Sequence, residues 1–116
     1  MNNKVRNIHG QNIIDILELL SSEELQLQYE KNVPHVDITN ELVCMWFDDF
    51  YLPESKYVCE SFTSEELKEL KKFNEFYDDK FELLPDSQGT VLTWLKNKAW
   101  RDIMAEAQKT LRKLKT

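Results

Sequence analysis

The chain is poor in the residues that interrupt helices and in those that build metal or catalytic sites. Its 116 residues include two glycines, three prolines, two cysteines and two histidines. So little glycine and proline disfavours a turn-rich β-sheet protein and favours helices. The two imidazoles, His9 and His35, stand in no recognisable catalytic setting, and histidine and cysteine are too few for a zinc site. The sequence therefore argues against a hydrolytic triad and against zinc chemistry.

Long hydrophobic runs are also absent. Residues 1–4, Met-Asn-Asn-Lys, lack the apolar core of a signal peptide. No apolar stretch approaches the roughly 20 residues of a membrane-spanning helix. We therefore expect a soluble, cytoplasmic protein. In that reducing compartment, Cys44 and Cys59, which lie beside apolar residues, are expected to be buried thiols rather than a disulfide.

Basic residues are scarce in the middle of the chain. Residues 1–10 have a net charge of +2, residues 11–66 hold thirteen acids against two lysines (−11), and residues 67–116 hold eight acids against eleven bases (+3), which together give −6. Such an acidic middle repels phosphates and anionic membranes and attracts basic partners. The sequence predicts a basic protein partner, no membrane binding, and no nucleic-acid binding outside the C-terminal helix.

Aromatic and aliphatic side chains are plentiful, and they are densest in residues 42–52. With 41% hydrophobic residues, a chain of this length can fold as one domain with a substantial core. Read at about 100° per residue, this run is a helix and the central buried element of the fold. Thr39 or Asn40 is its predicted N-cap and Pro53 its end. Its apolar face contains Leu42, Val43, Trp46, Phe47 and Phe50.

The sequence as a whole predicts an all-α domain of about five helices. We expect residues 1–10 to form a flexible lead-in and residues 11–116 to form a single helical domain. Ser21–Glu24 and Thr63–Glu66 are capping-box patterns, in which a hydroxyl and a carboxylate three residues later satisfy free amides at a helix start. Residues 36–38 alternate between apolar and polar side chains, which suggests one short extended segment.

Two long helices have apolar stripes at helical spacing. The stripe that follows Thr63 consists of Leu67, Leu70, Phe73, Tyr77, Phe81 and Leu84. The last helix, which Asn97 is expected to cap, has its stripe at Trp100, Ile103, Met104, Ala107, Leu111 and Leu114. Residues 53–62, before the first stripe, are expected to be irregular. Phe76 lies about 110° off that stripe, as an exposed aromatic or a second contact surface.

A carboxylate-bound magnesium site is the enzyme alternative, because it needs only aspartate and glutamate. Glu66-x-x-Glu69 and Glu75-x-x-Asp78 resemble the spacing of the acidic pairs in small all-α nucleotide pyrophosphatases. Both pairs fall on one predicted helix, so they cannot face each other across a metal. Glu66 also serves as the carboxylate of a capping box. We therefore expect no enzyme activity, no cofactor and no metal.

Acidic residues next to aromatic residues point to a partner-binding surface. Asp48 and Asp49 stand among aromatic side chains, and further acids and a tyrosine follow them. Aromatic anchors contribute much of the binding energy of interfaces, and complementary charge speeds the encounter. The predicted partner-binding residues are Asp37, Glu41, Asp48, Asp49, Tyr51, Glu54, Tyr57 and Phe76. A simpler interpretation places the aromatic rings in the core and leaves the aspartates as a solvated helix edge.

Residues 46–51, Trp-Phe-Asp-Asp-Phe-Tyr, are similar in kind to the acid-and-tyrosine helix of colicin-type immunity proteins, with the residues in a different order. The small, acidic, helix-rich chain also resembles the immunity proteins of contact-dependent inhibition systems. This resemblance implies a non-enzymatic bacterial protein that binds and neutralises a basic, nuclease-like toxin domain. The alternatives are the metal-dependent pyrophosphatase and a homo-oligomeric adaptor that docks through Phe76.

Overall fold

The helices of the chain are seen in a computed structural model that describes residues 6–34, 36–85 and 90–114. They are α1 (Ile8–Ser21), α2 (Glu23–Asn32), α3 (Ile38–Cys44), α4 (Lys56–Ser61), α5 (Ser64–Phe81), α6 (Val91–Leu95) and α7 (Lys98–Leu114). A π-helical segment, Met45–Phe50, continues α3 directly. The prediction of an all-α domain of about five helices is confirmed: the described residues form five α-helices of seven or more residues and two shorter ones, α4 and α6.

The core is centred on α7, which packs along both α1 and α5. Its whole predicted stripe is buried: Trp100, Ile103, Met104, Ala107, Leu111 and Leu114. The run at residues 42–52, predicted to be the central element, lies instead at the side of the bundle, where the π-helical segment packs on α1. Within that run Leu42, Trp46 and Tyr51 are buried, while Val43, Phe47 and Phe50 are half-buried.

Two predicted helix starts are confirmed by their hydrogen bonds, and a third is shifted by one residue. Thr63 and Glu66 form the complete capping box, with the Thr63 hydroxyl accepting from the Glu66 amide at 3.1 Å and the Glu66 carboxylate accepting from the Thr63 amide at 2.9 Å. Asn97 accepts from the Trp100 amide at 3.0 Å. The start of α2 lies one residue later than the predicted pairing of Ser21 with Glu24: Ser22 is the N-cap and accepts from the Leu25 amide at 3.1 Å, and Leu25 has no carboxylate to close the box.

Three other sequence expectations need correction. The lead-in predicted for residues 1–10 ends earlier, because Asn7 caps α1 and the helix begins at Ile8; residues 1–5 lie outside the described residues. The extended segment predicted at 36–38 is wrong, since Asp37 is the N-cap of α3 and takes the place of Thr39 or Asn40. The link predicted to be irregular at residues 53–62 contains α4.

Arg6 joins the start of the chain to three other elements. Its guanidinium donates to the backbone oxygen of Ser61 at 2.7 Å, to the Glu66 carboxylate at 3.0 Å and to the backbone oxygen of Leu114 at 2.9 Å. It also lies 4.7 Å from the centre of the Phe62 ring. One side chain therefore stabilises the ends of α4 and α7 and the first turn of α5.

Both cysteines are free, as expected, but they are not buried. Cys44 is half-buried and Cys59 is exposed. Among the helices of the described residues, none combines the length and the apolar character needed to cross a bilayer.

Candidate functional site

Asp48 and Asp49, the central residues of the partner-binding prediction, lie in the π-helical segment that follows α3. From Met45 the backbone follows the π-helical repeat, and the Tyr51 amide donates to the Trp46 carbonyl, five residues back, at 3.0 Å. Such wide turns are rare and are often found at functional sites. The preceding helix is held to α5 by Tyr77, whose hydroxyl donates to the Leu42 carbonyl at 3.3 Å.

The wide turn changes the position of Tyr51. Trp46 and Tyr51 are five residues apart and are joined by the backbone hydrogen bond of that turn, which brings their side chains together; their rings stack at 4.7 Å and 6°. Tyr51 is only 7% exposed. Its interpretation as a surface anchor is therefore corrected: burial, which is also the largest cause of its raised pKa, makes it a core residue that fixes the π-helical segment.

Asp48 and Asp49 are both exposed. Glu41, Asp48 and Asp49 all lie near the thiol of Cys44. Burial, and after it the hydrogen bond to Asp48 and the nearby negative charges, raises the pKa of that thiol. Three carboxylates of α3 and the π-helical segment are therefore close enough to Cys44 to act on it.

Glu54 and Tyr57 continue this stretch into α4. Both are exposed, Tyr57 to 52%. The Tyr57 ring stacks on His9 of α1 at 4.9 Å, and its backbone oxygen accepts from the Asn7 side chain at 2.7 Å. Tyr57 is therefore a rigid, accessible aromatic. His9, which is itself exposed, lies on α1 and supports that ring.

The ion pairs of the protein lie away from this stretch. Seven pairs join described residues. In six of them the basic residue belongs to α5 or α7, and the seventh is Arg6 with Glu66. Within the described ranges, none of these pairs includes a residue between 38 and 61. The carboxylates that remain without a cation there, which we call the acidic segment, are Glu41, Asp48, Asp49, Glu54 and Glu60.

The remaining two predicted residues have local roles. The exposed carboxylate of Asp37 caps α3, accepting from the Asn40 amide at 3.2 Å and from the Thr39 hydroxyl at 2.7 Å. Phe76 is half-buried against the core, and the Lys80 ammonium lies 5.5 Å from the centre of its ring. Phe76 is therefore a half-buried residue at the edge of the core. This corrects one of its two predicted roles, that of an exposed aromatic.

An open groove beside the acidic segment was not foreseen. It has a volume of about 460 Å³ and lies between α1, α2 and the first residue of the π-helical segment. It is lined by Asp15, Glu18, Leu19, Leu25, Gln28, Tyr29, Asn32 and Met45. The groove is formed by residues from three separate parts of the chain, so no local sequence pattern could predict it.

The carboxylates of the pyrophosphatase alternative are engaged in other interactions. Glu66 closes the capping box and pairs with Arg6; burial opposes ionisation, but the hydrogen bonds from Arg6 and Thr63 outweigh it and lower the pKa of Glu66. Glu69 pairs with Lys113 at 3.0 Å and Lys72 at 3.6 Å. In the described part of the chain, no group of three or more histidine, cysteine, aspartate or glutamate side chains is arranged to hold a metal ion.

Comparison with known proteins gives no match: no family model, no curated protein and no solved structure matches this chain.

Proposed function

We propose that this protein is a non-enzymatic binding module that presents its acidic segment to a basic protein partner. In its most concrete form, the proposal is an immunity protein that binds a basic, nuclease-like toxin domain and neutralises it. The binding residues are Asp48, Asp49, Glu54 and Tyr57, with Glu41 beside them.

One observation carries the proposal: the carboxylates of the acidic segment have no basic partner among the described residues, whereas four acids on α5 and α7, namely Glu66, Glu69, Asp102 and Glu106, do. Exposed like charges that are close together repel one another, and a cation from another molecule relieves that repulsion. The exposed carboxylates also raise the local concentration of basic partners and speed association. The segment therefore gains interaction energy when a lysine or arginine of a partner approaches it.

The aromatic residues give this surface a fixed shape. Trp46 is anchored by Tyr51 on one face and by the edge of Phe73, and its indole nitrogen donates to the Asn74 side chain at 3.0 Å. Because the wide turn is held in this way, Asp48 and Asp49 need little ordering when a partner binds. Low ordering cost favours affinity.

We further propose that the protein acts in the cytoplasm, where such a module would meet a toxin domain that has entered the cell. The two free cysteines support this location, because unpaired thiols are typical of a reducing compartment.

The test is protection of cells from a toxin. The candidate is the C-terminal domain of any large secreted protein encoded next to this gene, produced in cells with and without this protein. We expect growth to be restored by the wild-type protein and less well by Asp48→Asn/Asp49→Asn. Asp78→Asn/Asp79→Asn, which neutralises an equally exposed aspartate pair on α5, should restore growth fully. A neighbouring domain that is toxic but neither bound nor blocked would contradict the proposal.

A further inference from the structure

The groove between α1, α2 and the π-helical segment has an apolar floor and an acidic edge. We use floor for its apolar lining residues, Leu19, Leu25, Tyr29 and Met45, and edge for its two carboxylates, Asp15 and Glu18. Leu25 remains 41% exposed, so the floor is in contact with water and would gain stability by being covered. Among the described side chains that line it, none is a lysine or an arginine.

The charge of the edge indicates what could cover the floor. Asp15 accepts one hydrogen bond from Gln11 at 2.9 Å, and neither Asp15 nor Glu18 belongs to any of the ion pairs between described residues. A purely apolar occupant would leave these two carboxylates less hydrated without compensation. An acidic occupant would be repelled. A basic occupant that also has an apolar side chain covers the floor with that side chain and pairs its positive charges with the carboxylates of the edge.

The groove is continuous with the acidic segment. Met45 belongs to both the groove and the π-helical segment. Tyr29 on the other wall is close enough to Glu41 for that carboxylate, after burial, to raise its pKa. One partner element can therefore contact the groove and the carboxylate of Glu41 on α3 together.

We propose that this groove receives one apolar side chain from a basic amphipathic segment of the partner, while lysine or arginine residues flanking that side chain pair with Asp15 and Glu18. The inference rests on the proposed function and adds the chemistry of the partner element. Helices that lay an apolar face into a groove are a common mode of recognition, and the acidic edge selects a basic one.

The experiment uses two designed helical peptides and the full-length protein. One peptide has leucines on one face and lysines elsewhere; the other has the same lysines with every leucine replaced by glutamine. Their dissociation constants are measured by calorimetry at fixed salt. Gln28→Trp fills the groove from an exposed position of its wall, and Gln108→Trp makes the same change at an exposed position of α7 outside the groove.

We expect the leucine peptide to bind about tenfold more tightly than the glutamine peptide, as burial of one leucine side chain predicts. Gln28→Trp should remove that advantage, and Gln108→Trp should leave it intact. Asp15→Asn/Glu18→Gln should weaken binding of both peptides, more than Asp78→Asn/Asp79→Asn does.

Other outcomes overturn the inference in distinguishable ways. If Gln28→Trp has no effect while Asp48→Asn/Asp49→Asn weakens both peptides, the groove is not the docking site but the proposed function stands. If neither peptide binds the wild-type protein, both proposals fail. Dimerisation of the free protein, or its binding to lipid vesicles, that Gln28→Trp abolishes would assign the groove to a second copy or to a membrane.

Discussion

The indole nitrogen of Trp100 donates a hydrogen bond to the side-chain oxygen of Gln26 at 3.1 Å, inside the core and across 74 positions of sequence. Gln26 is fully buried, and its amide nitrogen donates to the backbone oxygens of Leu19 and Leu20 at 3.1 and 3.0 Å. One polar side chain thus satisfies the indole of α7 and two carbonyls at the end of α1. It ties three helices together at the point where α2 begins.

Replacing Gln26 with leucine should destabilise the protein strongly. The substitution leaves the Trp100 N–H and the Leu20 carbonyl without their partner, while the Leu19 carbonyl keeps the Ser22 amide; buried unsatisfied groups cost about 1–3 kcal/mol each. The matched change at Gln28, which is exposed on the same helix, should alter the free energy of unfolding by less than about 0.5 kcal/mol. Urea unfolding of both variants measures the difference, and equal stabilities would contradict the assigned role of Gln26.

Gly10 marks the closest approach of α1 to α4. A methyl group at this position would overlap the side-chain Cβ and Oγ of Ser61, which is itself fully buried. Alanine normally stabilises a helix relative to glycine, but the overlap should make Gly10→Ala destabilising by about 1–3 kcal/mol.

Ser61→Gly provides the control for that overlap, because it removes the atoms that the methyl group introduced by Gly10→Ala would meet. The double variant should lose less stability than the two single variants together, as expected for residues in direct contact. Strictly additive losses in thermal or urea unfolding would show that the two positions do not clash.

Glu66 makes stability depend on pH in acid. Its folded-state pKa lies below the ordinary value of 4.5 because hydrogen bonds from Arg6 and Thr63 outweigh burial. The stabilisation is therefore fully present above pH 4.5 and is lost as the pH falls below that value toward the folded pKa. Glu66→Gln should unfold more easily at neutral pH, by about 1–2 kcal/mol, and should lose less stability than the wild type on acidification. Urea unfolding at several pH values measures both effects, and parallel acid losses in the two proteins would contradict this role of Glu66.

The two thiols should differ in reactivity. Burial, with a smaller effect of Asp48, raises the pKa of Cys44 and reduces its thiolate fraction, whereas Cys59 is exposed. Since the thiolate is the nucleophile, we expect a thiol reagent to modify Cys59 about tenfold faster at neutral pH. Rates measured on Cys44→Ser and Cys59→Ser separate the two sites. Faster reaction in Cys59→Ser than in Cys44→Ser would contradict the placement of these side chains.

The long helices were predictable because their signals are local. The Thr63 capping box and the stripes of α5 and α7 depend only on spacing along the chain. The boundaries that were wrong depend on contacts between distant residues. Arg6 was predicted to belong to a flexible lead-in. Its hydrogen bonds to Ser61, Glu66 and Leu114 hold it against α4, α5 and α7.

The candidate site was predictable in its exposed charges but not in its geometry. Asp48, Asp49, Glu54 and Tyr57 are exposed, in agreement with the sequence interpretation. A helical wheel of 3.6 residues per turn cannot anticipate a π-helical turn, so the burial of Tyr51 against Trp46 was not predicted. The bonds that accompany the wide turn come from Tyr77 and Asn74 of α5, about 30 positions away.

The most direct test of a role for the acidic segment is the rate at which the protein associates with the proposed basic partner. We predict that Asp48→Asn/Asp49→Asn lowers the association rate constant severalfold at low salt and that the difference shrinks as salt screens the charges. Asp78→Asn/Asp79→Asn, with the same loss of charge on α5, should slow association much less. Equal slowing by the two pairs, or an association rate that salt leaves unchanged, would contradict a role for the acidic segment.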